Sequence, residues 1–133
     1  DGLENAIARI VFGIPAVKGV EFGRGFAAAD MHGSSHNDPY RVREGRVVFA
    51  SNNAGGILGG ISTGEPVVVR AAFKPTSSIF IEQDSVDLKE MSDARLALKG
   101  RHDPCVAVRA VPVMEAVCAI AVYDAMLEAR MDR

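Results

Sequence analysis

The sequence predicts an α+β fold in which helices pack on a mainly antiparallel sheet. Helical periodicity is confined to the two ends of the 133-residue chain. Between the ends lie short alternating or β-branched runs, separated by glycine, proline and polar turn residues. Hydrophobic residues make up 48% and charged residues 24%, which is typical of a globular domain that can bury a core. The order of helix, several strands and helix predicts this class.

The first predicted helix covers residues 1–12. Asp1 and Glu4 have capping-box spacing, and Gly13 and Pro15 follow the last apolar position, where they would end the helix. Its apolar positions fall on one face: Leu3, Ala6, Ile7 and Ile10. A weakly alternating strand is predicted next, over residues 16–22.

The middle and the end of the chain predict four strands and a helix. The strands cover residues 46–50, 66–73, 79–88 and 94–99, the second of them buried. The last helix is predicted over residues 112–133. Proline suits the first turn of a helix, where backbone N–H groups have no helical acceptor, so Pro112 loses no hydrogen bond there. This helix is apolar on more than one face, which is typical of burial between layers or in a subunit contact.

Composition argues against several kinds of partner. The net charge is −2, so no strong field attracts nucleic acid. The longest apolar stretch contains Glu115, so no membrane span is predicted. Cys105 and Cys118 lack Cys-x-x-Cys spacing, which favours free thiols in a reducing, cytoplasmic setting over a zinc site. The sequence begins with Asp1 and not with an initiator Met, so we expect this chain to be part of a longer protein.

Isolated histidines and arginines give weaker signals. His32 and His36 are four residues apart, a spacing that joins two imidazoles on a helix. The loop composition of residues 32–39 predicts no helix there, and therefore no metal site. A basic cluster is more typical of a solvated hairpin than of a ligand site: Arg41, Arg43 and Arg46.

Residues 51–64 form a segment with five glycines and two asparagines. Glycine lets a backbone approach a ligand closely, and consecutive amides can bind an anion or a ring carbonyl. The spacing is that of neither a Rossmann fingerprint nor a Walker loop. Two interpretations are open, a ligand-binding loop or a tight hairpin with bulges.

A second loop, residues 74–78, follows a predicted strand. Lys74 and Pro75 precede three hydroxyl residues, Thr76, Ser77 and Ser78. A cation beside hydroxyls suits a phosphorylated ligand. The alternative is a strand-to-loop turn whose hydroxyls satisfy the local backbone.

A third loop carries Arg101, His102 and Asp103 in succession. In an extended stretch, Arg101 and Asp103 would share one face and His102 would lie on the other. Arg101 could clamp a phosphate and Asp103 could transfer a proton. The alternative is an Arg–Asp surface pair ahead of a helix.

Together and in order, these blocks resemble the C-terminal motifs of chorismate synthase. The matching segments are residues 51–64, 74–79, 100–106 and 109–113, and residues 16–23 resemble the family's motif just upstream. The chain is identified as the C-terminal portion of a chorismate synthase domain over residues 1–133. The resemblance implies the family's β-α-β sandwich, with an internal pseudo-twofold and a tetrameric assembly.

The resemblance also implies a reaction. Chorismate synthases convert 5-enolpyruvylshikimate-3-phosphate to chorismate by trans 1,4-elimination of phosphate and a ring hydrogen, in the shikimate pathway to aromatic amino acids. They require reduced FMN, which lends electron density as phosphate leaves and recovers it as the hydrogen leaves. Some members reduce flavin with NADPH and others use an external supply, a choice that the sequence leaves open.

Site residues follow from the same resemblance. The backbone around Pro15 and Ala16, and Gly59, should lie against FMN, while residues 74–78 should hold its phosphate or ribityl chain. Arg101 should reach FMN or the substrate phosphate, and Asp103 should handle a proton near the flavin. The predicted FMN-binding residues are Pro15, Ala16, Gly59, Lys74, Pro75, Thr76, Ser77, Ser78 and Arg101; the predicted catalytic residue is Asp103.

The family's N-terminal motifs, which supply two catalytic histidines and several substrate-binding arginines, have no counterpart among residues 1–133. We therefore expect the chain alone to be inactive. The alternative function is a non-catalytic flavin- or phosphate-binding module that has kept the fold. We also expect dimers or higher oligomers, because apolar surface without its cover favours association.

Overall fold

The computed structural model describes residues 2–131, and helices at the two ends of the chain flank a series of short strands. In chain order the elements are α1 (Leu3–Val11), β1 (Val17–Phe22), a 3-10 helix (Gly25–Asp30), α2 (Gly33–His36), β2 (Tyr40–Arg43), β3 (Arg46–Phe49), β4 (Ile57–Leu58), β5 (Ile61–Ser62), β6 (Val69–Phe73), β7 (Gln83–Asp87), β8 (Ser92–Leu96) and α3 (Ala107–Met131). Each strand pair within residues 2–131 is antiparallel: β1 with β6, β2 with β3, β4 with β5, and β7 with β8. The α+β class is confirmed, but the strands of residues 2–131 form four two-stranded sheets rather than the one sheet expected.

Helix α1 provides the centre of the core. Its apolar face places Ile7 and Val11 at 0% exposure. Each such side chain contributes roughly 1.5–3 kcal/mol by leaving water. Gly2 is the N-cap residue, and no side chain at this position hydrogen-bonds to the first turn. The predicted capping box depends on Asp1, which lies outside the described residues.

Strands β1 and β6 form the sheet on which the core packs. Val20 pairs with Ala71 and Phe22 with Val69, and a register shift lies between Val17 and Gly19. The prediction of a buried strand over residues 66–73 is wrong in its start and in its burial. The strand begins at Val69, its positions alternate between half-buried and exposed, and Val67 ahead of it is 37% exposed.

Helix α3 begins at Ala107, so the predicted start at Pro112 is wrong. The first turn forms earlier because the N–H groups of Arg109 and Ala110 both donate to the Val106 carbonyl, at 3.1 Å. Pro112 lies inside the helix and leaves the carbonyl four residues before it without its usual helical donor. Residues 132 and 133 of the predicted helix lie outside the described residues.

Much of α3 is apolar and exposed. Of residues 2–131, this helix alone is long and apolar enough to cross a membrane, judged by length and composition. The expectation that Glu115 excludes this is therefore wrong. A core helix passes the same test, and Ala121 of α3 belongs to the buried cluster that contains Ile7 and Val11. The large exposed side chains of the helix are Val108, Val111, Val113, Ile120, Tyr123, Met126, Leu127 and Met131.

The polar segment after β1 contains a short helix that the sequence does not predict. The N–H groups of Ser35 and His36 both donate to the His32 carbonyl, at 2.9 Å, which closes one turn as α2. Residues 2–131 nevertheless hold no cluster of three or more metal-binding side chains. The arginine cluster lies on the β2–β3 hairpin, in agreement with the hairpin interpretation.

Candidate functional site

The glycine-rich segment folds as a hairpin and its supporting turns. Gly59 and Gly60 join β4 to β5, with φ of +57° and +81°, as two-residue hairpin turns of the right twist require. Of the two interpretations, the structure shows the hairpin. A Cβ built at Gly59 would meet no described atom within 4 Å, whereas one at Gly60 would lie 2.8 Å from the Gly2 Cα.

Glycines of this segment interlock with the end of β1. Gly23 and Gly55 both have positive φ, and a Cβ on either would overlap the backbone of the other's segment. Two backbone bonds fix the contact: Gly23 N–H donates to the Val68 carbonyl and Val68 N–H donates to the Gly55 carbonyl, each at 3.0 Å. These glycines are therefore required by packing between backbones.

Asp38 anchors the start of the segment. Its carboxylate accepts hydrogen bonds from the Ser51 hydroxyl and the Asn53 N–H, both at 2.7 Å, and from the Ala54 N–H at 2.9 Å. Partial burial acts to raise the pKa of Asp38, but these bonds and the nearby His36 outweigh it, so the pKa lies below its usual value. The segment is thus held by a carboxylate that stays ionised.

Asn53 completes this network from inside the segment. Its side chain is buried, accepts from Arg24 Nε at 3.0 Å and donates to the His36 carbonyl at 3.1 Å. Burying this side-chain amide costs little folding free energy, because both its oxygen and its nitrogen are hydrogen-bonded. The start of the glycine-rich segment is therefore hydrogen-bonded to residues that precede it in the chain.

A cavity of about 240 Å³ opens where β1 begins and β6 ends. Antiparallel pairing brings these two ends together, and the Lys74 N–H donates to the Ala16 carbonyl at 2.8 Å. Residues from three separate segments line the cavity: Ala16, Lys74, Pro75, Thr76, Ser77, Ser78, His102, Asp103 and Val106. The loop after β6 and the loop before α3 therefore face one space.

Ala16 lies in a strained conformation at the cavity wall. Its φ is +72°, in the left-handed region that disfavours residues with a Cβ. This conformation costs about 1–2 kcal/mol relative to a right-handed residue. The surrounding pairing with Lys74 maintains it.

The loop before α3 presents a different pair of side chains from the predicted one. His102 and Asp103 line the cavity, whereas Arg101 is exposed and is not among the lining residues. Arg101 and Asp103 therefore do not line the cavity together, and the shared face expected for an extended stretch stays a prediction. Asp103 Oδ2 forms an ion pair with Arg109 Nη1 at 3.0 Å, which joins the loop to the first turn of α3.

Two buried polar atoms in the cavity wall lack partners. Thr76 Oγ1 and His102 Nε2 have no hydrogen-bond partner among the described residues. Leaving such an atom unpaired costs about 1–3 kcal/mol. The His102 ring packs against Phe80, with ring centroids 5.7 Å apart.

The structure thus gathers most of the predicted site residues and separates three from them. Ala16, residues 74–78 and Asp103 lie around one cavity. Pro15 is exposed beside it, Gly59 is at the tip of a hairpin, and Arg101 is exposed and does not line the cavity. Their roles in flavin binding stay predictions. The sequence missed His102, because that histidine matches neither family histidine motif, although it lies between two predicted residues.

Comparison with known proteins decides the family. A family model described as chorismate synthase matches residues 1–127. The chain belongs to the chorismate synthase family. It is 57% identical over 125 residues to the chorismate synthase of Archaeoglobus fulgidus, covering 94% of this chain and 35% of that relative. It is 53% identical over 124 residues to that of Korarchaeum cryptofilum, covering 93% and 34%.

A solved chorismate synthase crystal structure is also similar. The TM-score is 0.54 at 44% sequence identity, over 57% of this chain and 23% of that one. The chain spans about a third of the length of the curated relatives that it matches. The cavity described above therefore belongs to one part of a larger family architecture.

Proposed function

We propose that the chain is the cofactor-binding part of an FMN-dependent chorismate synthase, a lyase that converts 5-enolpyruvylshikimate-3-phosphate to chorismate and phosphate. The observation that carries the proposal is the cavity in which residues 74–78 meet Asp103 and Ala16, in a chain of this family. The assignment extends to the shikimate pathway and aromatic amino acid biosynthesis.

The cavity residues fit a phosphorylated cofactor. Lys74 is in none of the ion pairs formed within residues 2–131, so its charge is available to an anion. The hydroxyls of Thr76, Ser77 and Ser78 can donate to phosphate oxygens. The unpaired Thr76 Oγ1 supports a ligand at this wall, because a bound oxygen would satisfy it.

Asp103 would act on a proton near the bound group. Its carboxylate lines the cavity, and the ion pair to Arg109 holds it in place. The Asp103 side chain is 40% exposed, so a proton can exchange with solvent. When bound, reduced flavin supplies electron density to the substrate as phosphate leaves.

The larger assembly belongs to the same proposal. We place the chain in the family's β-α-β sandwich and in a cytoplasmic homotetramer. The exposed apolar surface of α3 supports a further layer or subunit against it, because soluble monomers rarely expose large contiguous apolar patches. Light scattering should then show dimers or larger species at micromolar concentration, and a monodisperse monomer would contradict this.

A chimera tests the activity. This chain replaces the segment that it matches in the Archaeoglobus fulgidus chorismate synthase, which supplies the remaining two-thirds of the relative. We expect chorismate and phosphate to form from 5-enolpyruvylshikimate-3-phosphate only when reduced FMN is present. The parent relative is the positive control, and the 133-residue chain alone should show no turnover.

Two outcomes would contradict parts of this proposal. A folded chimera that binds FMN but forms no chorismate would favour the non-catalytic flavin- or phosphate-binding module. Turnover by the chain alone would show that residues 1–133 are sufficient, against the expectation drawn from the missing motifs.

A further inference from the structure

His102 is a cavity residue that neither the sequence motifs nor the proposed chemistry uses. His102 is among the residues that line the cavity, as Asp103 is, and its Nε2 is buried with no partner among residues 2–131. The ring packs against Phe80, with centroids 5.7 Å apart and ring planes at 49°. A Cβ built at Gly100 would lie 3.3 Å from Nε2, so the absence of a side chain there leaves room for the imidazole.

The second unpaired atom lies in the opposite loop. Thr76 Oγ1 is buried without a partner in the described chain and belongs to the same wall. Each unpaired buried atom destabilises the folded chain. The two atoms come from separate loops around one cavity, so a single ligand in that cavity could bond to both. A ligand that accepts hydrogen bonds would satisfy both.

The charges around the cavity favour an anionic ligand. The negative charge of Asp103 is compensated by Arg109 at 3.0 Å. The positive charge of Lys74 has no such partner in the ion pairs of residues 2–131. The remaining polar groups, hydroxyls and an imidazole N–H, can all donate. Acceptor-only phosphate oxygens match this set of donors.

We propose that His102 is a ligand-binding residue whose Nε2–H donates a hydrogen bond to a phosphate oxygen of a bound phosphomonoester. This deepens the proposed function and rests on it. The phosphomonoester is either the phosphate of FMN or that of the substrate, since both carry the same group. Phe80 and Gly100 hold the imidazole at the wall, and Thr76 of the loop after β6 donates to the same ligand.

The test compares phosphorylated and unphosphorylated ligands on the chimera. His102→Phe keeps the aromatic contact with Phe80 and removes Nε2, while His102→Gln keeps a donor. His32→Gln is the matched control, because His32 is exposed and does not line the cavity. Affinities for FMN, riboflavin and inorganic phosphate are measured by calorimetry, and the KM for 5-enolpyruvylshikimate-3-phosphate by turnover.

His102→Phe should weaken FMN binding about tenfold, the loss expected for one hydrogen bond to a charged group. Riboflavin affinity should change less than about twofold, and His102→Gln should recover part of the FMN affinity. If the contact is to the substrate instead, the KM for the phosphorylated substrate rises about tenfold while FMN affinity is unchanged. An unchanged thermal midpoint establishes that each variant is folded.

Two results would overturn the role of His102. One is unchanged affinity for FMN together with an unchanged KM; the other is an equal loss for FMN and riboflavin, which would indicate a structural role for the ring. The proposed function fails separately. If the unsubstituted chimera forms no chorismate but binds FMN or inorganic phosphate in a manner that depends on His102, the phosphate contact stands; if it binds neither, both proposals are wrong.

Discussion

The glycine-rich segment, residues 51–64, and the two cavity loops, residues 74–78 and 100–106, differ in whether their buried polar groups have hydrogen-bond partners. Three donors of the glycine-rich segment bond to the Asp38 carboxylate, and the Asn53 side chain is hydrogen-bonded at both ends. In the cavity loops, Thr76 Oγ1 and His102 Nε2 are buried without a partner in residues 2–131. Polar groups that are hydrogen-bonded within the chain stabilise the fold, whereas buried polar groups without partners around a cavity indicate a ligand site.

This contrast predicts that substitutions in the glycine-rich segment change stability, whereas those in the cavity loops change binding or turnover. The following variants, all made in the chimera, are ordered by their expected effect on the free energy of unfolding, measured by urea denaturation. The contrast fails if the two groups of variants behave alike.

The largest effect is expected for Gly55→Ala. Its φ is +71°, and a Cβ would overlap the backbone of Gly23, so we expect a loss of about 4 kcal/mol or more. Gly59→Ala is the matched control, since its φ is +57° but a Cβ there meets no described atom within 4 Å. It should cost only about 1–2 kcal/mol for the left-handed conformation. Equal losses for the two variants would show that conformation, not packing, requires Gly55.

Asp38→Ala should come next, at about 2 kcal/mol, because three donors lose a common acceptor that is only partly buried. Asp30→Ala removes an exposed carboxylate as the control and should change stability by less than about 0.5 kcal/mol. A similar small change for both would mean that water replaces the Asp38 contacts.

Asp38 also predicts a pH dependence. Its folded pKa is lowered below the unfolded value, so its contribution is complete above the unfolded pKa and disappears as the pH falls through the folded pKa. Below about pH 4, the stability of the unsubstituted protein should therefore fall more steeply than that of Asp38→Ala. Parallel pH profiles in urea denaturation would contradict the assignment.

Asp103→Asn should change stability by less than about 1 kcal/mol, because its ion pair with Arg109 is largely exposed. Chorismate formation should nevertheless fall at least about 100-fold if this carboxylate handles the proton. Asp84→Asn breaks another exposed pair, with Arg95, and should leave turnover unchanged. Retained turnover in Asp103→Asn would remove Asp103 from the catalytic role.

The smallest effect on stability is expected for Lys74→Met, because Lys74 is exposed and in no ion pair of residues 2–131. The FMN affinity of the Lys74→Met variant should fall about tenfold or more, because the unpaired cation is lost, while its riboflavin affinity stays nearly constant. Lys89→Met, at the exposed β7–β8 turn, should affect neither ligand. Equal FMN affinity in the two lysine variants would place the phosphate elsewhere.

The sequence by itself determined the helices at the two ends, the α+β class and the family, but not short elements such as α2. These depend on local periodicity and on ordered motifs, such as the apolar face that buries Ile7 and Val11. It also identified residues 74–78 and Asp103, which the structure brings to one cavity. Local pattern was less reliable at element ends, where a bond from Ala110 to Val106 starts α3 ahead of Pro112.

Only the tertiary structure decided which side chains meet. The antiparallel pairing of β1 with β6 brings Ala16 beside Lys74, and His102, rather than Arg101, lines the same cavity from the loop before α3. The tertiary structure also pairs the Asp103 carboxylate with the Arg109 guanidinium. Neighbours in sequence do not fix such contacts, because chain reversal, burial and the pairing of distant strands determine where each side chain lies.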